Sequence, residues 1–130
     1  MQAVRLTAFS VVLLSLAGSV GQVEAFGGPN ITGDWSRADG ALRISVSPCG
    51  ERLCAVNTWT RDASSGDAVG DRIIMTLQPR AATALAGEAF DEKRRLTYAV
   101  QISVERDAMK TQGCLLAGVV CRTMHWVRAN

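Results

Sequence analysis

The feature that most constrains this chain is a strict apolar alternation. Leu96, Tyr98, Val100, Ile102 and Val104 alternate with Thr97, Ala99, Gln101 and Ser103. A period of two places the two sets on opposite faces of an extended strand, so the segment is a β-strand with one covered face. The same period recurs where Leu42, Ile44 and Val46 alternate with Arg43, Ser45 and Ser47, and where Ile73, Met75 and Leu77 are separated by single residues. No long segment carries apolar residues at helical spacing. The core must be made of sheet.

Turn signals between these runs set the number of strands. A lead-in containing Gly27, Gly28 and Pro29 precedes a short strand over 33–37, and Asp39-Gly40 turns the chain into the strand of Leu42, Ile44 and Val46, which Pro48 ends. The segment 49–54 turns again, and a third strand over 53–60 carries Val56 and Trp59. A polar loop over 61–70 separates it from a strand over 72–78, which Pro79 and Arg80 close. The next strand, 83–90, has small residues, and its Gly87 marks a bulge or a close approach of backbones. Strands over 96–104, 108–115 and 119–128 complete the set. Eight strands with hairpin connections and no crossover helices give an all-β, antiparallel, up-and-down sheet, and closing it into a small barrel removes the exposed edges. A flattened sandwich is the alternative.

The first 25 residues read as a segment outside the fold. Arg5 precedes an apolar run from Leu6 to Leu16, and Val23-Glu24-Ala25 has the small-x-small form of a processing site, so residues 1–25 are expected to be a secretory signal peptide. The run is too interrupted by Ser10, Ser15, Gly18 and Ser19 to anchor the chain in a membrane, and no stable membrane insertion is expected. Ser19 stands where a lipid-bearing cysteine would be needed in Leu16-Ala17-Gly18-Ser19. What remains, 26–130, suits a single domain.

All four cysteines, Cys49, Cys54, Cys114 and Cys121, fall in that domain, and an even number in an exported chain implies two disulfides. Spacings of four and six intervening residues are not those of a zinc knuckle. Three pairings are open on paper. Linking Cys49 to Cys54 and Cys114 to Cys121 would clip one hairpin each. The formal net charge is only +2, which supplies no field for nucleic acid.

Catalytic chemistry has little to work with here. His125 is the sole histidine, the cysteines are expected to be oxidised, and no nucleophile motif surrounds any serine, so the chain is not expected to be an enzyme. Asp62 to Asp67 lacks the glycine placement and the terminal acid of a calcium loop. Asp91-Glu92-Lys93-Arg94-Arg95 reads as a solvated hairpin tip, with contact to anionic lipid or a partner as its functional alternative. No cofactor or metal is implied. Two functions remain. In one, Ile44, Val46, Val56, Ile73, Met75, Tyr98, Val100 and Ile102 line an interior that holds a small apolar ligand, with Ala84, Ala86 and Ala89 leaving it space. In the other, the barrel is filled and serves as an interaction or scaffold module for a protein partner in the cell envelope.

Gly33-Asp34-Trp35, Asp39-Gly40, the block from Cys49 to Cys54 followed by Trp59, Gly113-Cys114, Cys121-Arg122-Thr123 and Trp126-Val127-Arg128 together resemble a bacterial exported family, domain of unknown function 2147. That family is itself similar to lipocalin-like (calycin) barrels, in which a first-strand tryptophan lies under a last-strand arginine. The resemblance therefore implies a lipocalin-like barrel in the periplasm or outside the cell, with Trp35 and Arg128 as a structural pair at its closed end. Arg122 is the second choice for the cation.

Overall fold

A computed structural model describes residues 27–129 without a break, together with Ala3, Val12 and Gly18. Apart from those three positions, the expected signal peptide over 1–25 and the cut before Phe26 lie outside the described residues. Eight strands follow in order: β1 (Gly33–Arg37), β2 (Leu42–Cys49), β3 (Arg52–Thr60), β4 (Arg72–Ala81), β5 (Ala84–Asp91), β6 (Leu96–Glu105), β7 (Ala108–Leu115) and β8 (Val120–Arg128). Each pairs antiparallel with its neighbour, and β1 pairs with β8 through Trp35 opposite Arg128 and Arg37 opposite Trp126. The sheet is thus a closed up-and-down barrel, not a sandwich. Closure leaves no edge unpaired, which is the physical reason an all-hairpin chain of this length curls.

Two prolines sit inside strands where the sequence reading had turns. Pro48 lies within β2 opposite Leu53, beyond Val46, the last β2 residue paired with β1. Its missing N–H therefore faces no second strand. Pro79 is likewise within β4, past Met75, where the β3 pairing stops, and Arg80 bulges out between the Pro79–Leu85 and Ala81–Ala84 pairs. Edge positions and a bulge are where a strand accepts proline.

A second irregularity changes which side of β3 faces inward. Arg43 opposes Trp59 but Ile44 opposes Asn57, so Thr58 is an extra residue. Below it, Ala55 and Asn57 share the inner face with Ile44 and Val46. Val56 lies opposite Ser45 and Arg72 and points outward. It is accordingly not part of the interior lining expected from the sequence. Trp59 is also outward, with the Arg43 guanidinium over its ring at 5.6 Å. The bulge brings two apolar residues three apart onto one outer face.

Gly87 is required by crowding. A Cβ there would fall 1.9 Å from the Thr76 carbonyl oxygen, so β4 and β5 approach to a distance only glycine permits. Gly113 on β7 plays a related part, since a Cβ would meet the Tyr98 ring at 2.8 Å. The bare backbone gives the ring its seat.

The core lies toward the barrel end that carries the β2–β3, β4–β5 and β6–β7 turns. Trp35 is fully buried, and its indole N–H donates to the Ile31 carbonyl at 2.9 Å. The Arg128 guanidinium stacks over the same ring at 4.3 Å and donates to the Thr32 and Asn30 carbonyls at 2.8 and 3.1 Å. The lead-in before β1 is thereby tied across the barrel end, with Ile31 as a buried plug. Gly28, at φ 70°, packs against Pro79 and Leu85 where a side chain would collide. That end is closed by the chain itself.

Candidate functional site

Above this plug the barrel is hollow. A cavity of about 460 Å³ occupies the interior, within the range usual for small-molecule sites. Its wall includes Ile44 and Val46 of β2, Ile73 and Met75 of β4, and Tyr98, Val100 and Ile102 of β6. Of the residues expected to line it, only Val56 is absent. Ala55, Ala89 and Gly113 contribute backbone-deep surface with little side chain, and Ile31, Met109 and Trp126 form much of the floor. Small residues at inward positions of β3, β5 and β7 are therefore what leaves the space. Ala89 is one of the three alanines singled out for this from the sequence; Ala84 and Ala86 are not in the wall.

The floor is almost wholly apolar, and its polar atoms are paired. The Trp126 indole N–H donates to the Thr111 hydroxyl at 3.0 Å. Tyr98 reaches in from β6; burial, and secondarily the Asp91 charge, pushes its phenol pKa above the ordinary 10.0. It stays neutral throughout the physiological range and offers a hydroxyl to a largely apolar wall, beside the uncharged polar groups of Asn57 and Thr111.

Charge is concentrated at the opposite end, where the β1–β2, β3–β4, β5–β6 and β7–β8 connections form a mouth. Asp91, buried at the end of β5, accepts from the Arg94 guanidinium at 2.9 Å and from the Arg94 backbone N–H at 3.1 Å. Arg94 also lies 3.7 Å from Asp67, and Lys93 donates to Asp71 at 3.2 Å and to the Gly66 carbonyl at 2.8 Å. The Asp71 carboxyl is held below its ordinary range, first by the Ala68 backbone N–H and then by Lys93. Residues 91–95 are therefore more than a solvated tip: two of their cations pin the 61–71 loop over one side of the mouth. Each exposed pair contributes modestly, but together they fix one loop to another.

The other side of the mouth is apolar. Leu96, Leu115 and Val120 line it, joined by Arg122 and by Cys121 of a disulfide. Cys114 and Cys121 face each other across β7 and β8 and are bonded; Cys49 and Cys54 are bonded across the β2–β3 turn. Each disulfide clips its own hairpin, and among the described residues no cysteine is free. Arg128 lies at the plugged end with Trp35, far along β8 from Arg122. His125 points outward from β8, exposed and opposite Lys110, away from the cavity.

The interior strands could be read from apolar alternation. Asn57 was missed because a polar residue occupies an inward position after an unsignalled bulge. The loop carboxylates were missed because only the fold brings 67–71 against 91–94.

No characterised protein and no solved structure matches the chain. A family profile does, over residues 33–128, which run from the first residue of β1 to the last of β8. The chain belongs to the bacterial family described as an uncharacterized protein conserved in bacteria, DUF2147.

Proposed function

We propose that this protein is an exported carrier that holds a small apolar molecule inside its barrel. The observation that carries the reading is the cavity itself: about 460 Å³, walled by aliphatic and aromatic side chains, plugged at one end and open at the other. Such a volume is not left hollow for stability, because close packing is the default of a protein interior and unfilled space costs stability. A filled-barrel scaffold would have side chains larger than Ala55, Ala89 and Gly113 at those inward positions. Two disulfides support an oxidising compartment outside the cytoplasm. No catalytic step is proposed: the one histidine faces away from the cavity, and the mouth acids are paired with cations.

Native mass spectrometry of the protein purified from its own source tests the reading. A retained small molecule supports it. Saturating ligand at about 100 times its Kd should also raise stability by roughly 2.7 kcal/mol. A clean protein mass, with no melting shift across fatty acids and hydrophobic dyes, would sink it.

A further inference from the structure

The β7–β8 connection exposes more apolar surface than any other turn among the described residues. Leu116 is 75% exposed, Val119 81% and Val120 53%, beside Leu96 at 44% on the adjoining rim. Leu116 and Ala117 both hold left-handed backbone, at φ 52° and 54°, a conformation non-glycine residues rarely adopt even singly. The Cys114–Cys121 bond closes the base of the same hairpin. A strained backbone over a covalent clip keeps these side chains projecting from the barrel end, where collapse onto the oily mouth would have hidden them.

Two cations flank this tip. Arg122 follows it on β8 at the cavity rim, and Arg95 immediately precedes Leu96. Among the described residues neither is in an ion pair, whereas Asp67, Asp71 and Asp91 at the mouth are matched by Lys93 and Arg94. The surplus charge beside the tip is positive.

We propose that the tip of the β7–β8 hairpin docks the barrel, mouth first, onto an anionic lipid surface. Three aliphatic side chains on one turn are far too few for a stable protein interface, which needs about 800 Å² from each partner. They suit shallow insertion at the level of lipid headgroups, with Arg95 and Arg122 meeting phosphates. The placement would bring the open end of the cavity against the lipid, where apolar molecules are stored. The inference goes beyond the carrier reading, and its test has a separate readout: a protein that docks but retains no ligand would leave docking standing and remove the carrier.

The experiment is vesicle co-sedimentation of the disulfide-bonded protein, using phosphatidylglycerol–phosphatidylcholine vesicles and pure phosphatidylcholine vesicles. Binding to the anionic vesicles should exceed binding to the neutral ones and weaken with salt. The double variant Leu116→Ser/Val119→Ser should bind about tenfold more weakly at an unchanged melting temperature, since both side chains are already in water. Arg95→Gln/Arg122→Gln should reduce binding to anionic vesicles toward the neutral-vesicle level. Vesicle binding equal in the serine variant and the parent would overturn the proposal, as would no binding to either vesicle. So would a concentration-dependent doubling of mass that the serine variant abolishes, which would assign the tip to a second copy of the chain.

Discussion

Trp35→Ala removes the side chain around which the closed end is built, and its cost can be worked from the contacts. The indole is wholly buried, so truncation forfeits its transfer free energy and opens a cavity between the lead-in and the sheet. Tryptophan-to-alanine changes of this kind cost about 3–5 kcal/mol. The Ile31 carbonyl loses its partner, about 1–3 kcal/mol if it stays dry, and the Arg128 stacking contact contributes about 0.5–2 kcal/mol. These share one site and do not add; the cavity term dominates, and a loss of about 4 kcal/mol is expected. Against a total of roughly 5–15 kcal/mol for a domain, that leaves little. Trp35→Phe keeps most of the ring and loses the N–H bond, so about 1–2 kcal/mol is expected. Equilibrium urea unfolding of the disulfide-bonded variants, followed by circular dichroism and by the remaining tryptophans, measures both. A loss below about 1 kcal/mol for alanine would mean the plug does not hold the end closed. Equal losses for alanine and phenylalanine would mean that ring packing is not what matters.

Three further outcomes are expected. Gly87→Ala should destabilise by about 3 kcal/mol or more, because its Cβ must displace the Thr76 backbone, and urea unfolding would read it. Val56→Thr should change stability by less than about 0.5 kcal/mol if the residue faces outward, whereas Val46→Thr, inside the cavity wall, should cost about 1–3 kcal/mol by the same measurement. Because the folded-state pKa of Tyr98 is raised above 10.0, its effect is absent below that pH; as pH rises past 10.0 the unfolded chain ionises first and stability falls. Tyr98→Phe should therefore flatten the alkaline limb of the stability profile above about pH 10, and an unchanged limb would place the phenol in water.

Alternation made the sheet legible because a strand with one covered face has no other way to sort its side chains. β6 and β2 could be read residue by residue, and the bounds of β7, 108–115, were legible at both ends. The errors arose where the backbone departs from period two. Thr58 shifts β3 by one, so Val56 and Trp59 share an outer face although their spacing is odd. Pro48 and Pro79 looked like terminators because nothing local reports that the neighbouring strand has already ended. The disulfide pairing needed the register, which puts Cys114 opposite Cys121. The hollow interior depended on where small residues meet, and Ala55 and Gly113 are separated by half the barrel. The clamp of Lys93 and Arg94 on the 61–71 loop joins residues more than twenty apart and had no signature in either segment.

The cysteine pairing also sets the order in which the protein can be oxidised. Bonded partners are consecutive in the chain, five and seven positions apart, and each pair spans one hairpin. Barrel closure, by contrast, waits for Arg128 to reach Trp35, the most remote contact in the strand ladder. A chain emerging from its N-terminus therefore meets Cys49 and Cys54 together, long before Cys114 appears. An oxidant that joins cysteines as they arrive would produce the native bonds by default, so reduced protein refolded with oxidant alone should recover both pairings without a disulfide isomerase.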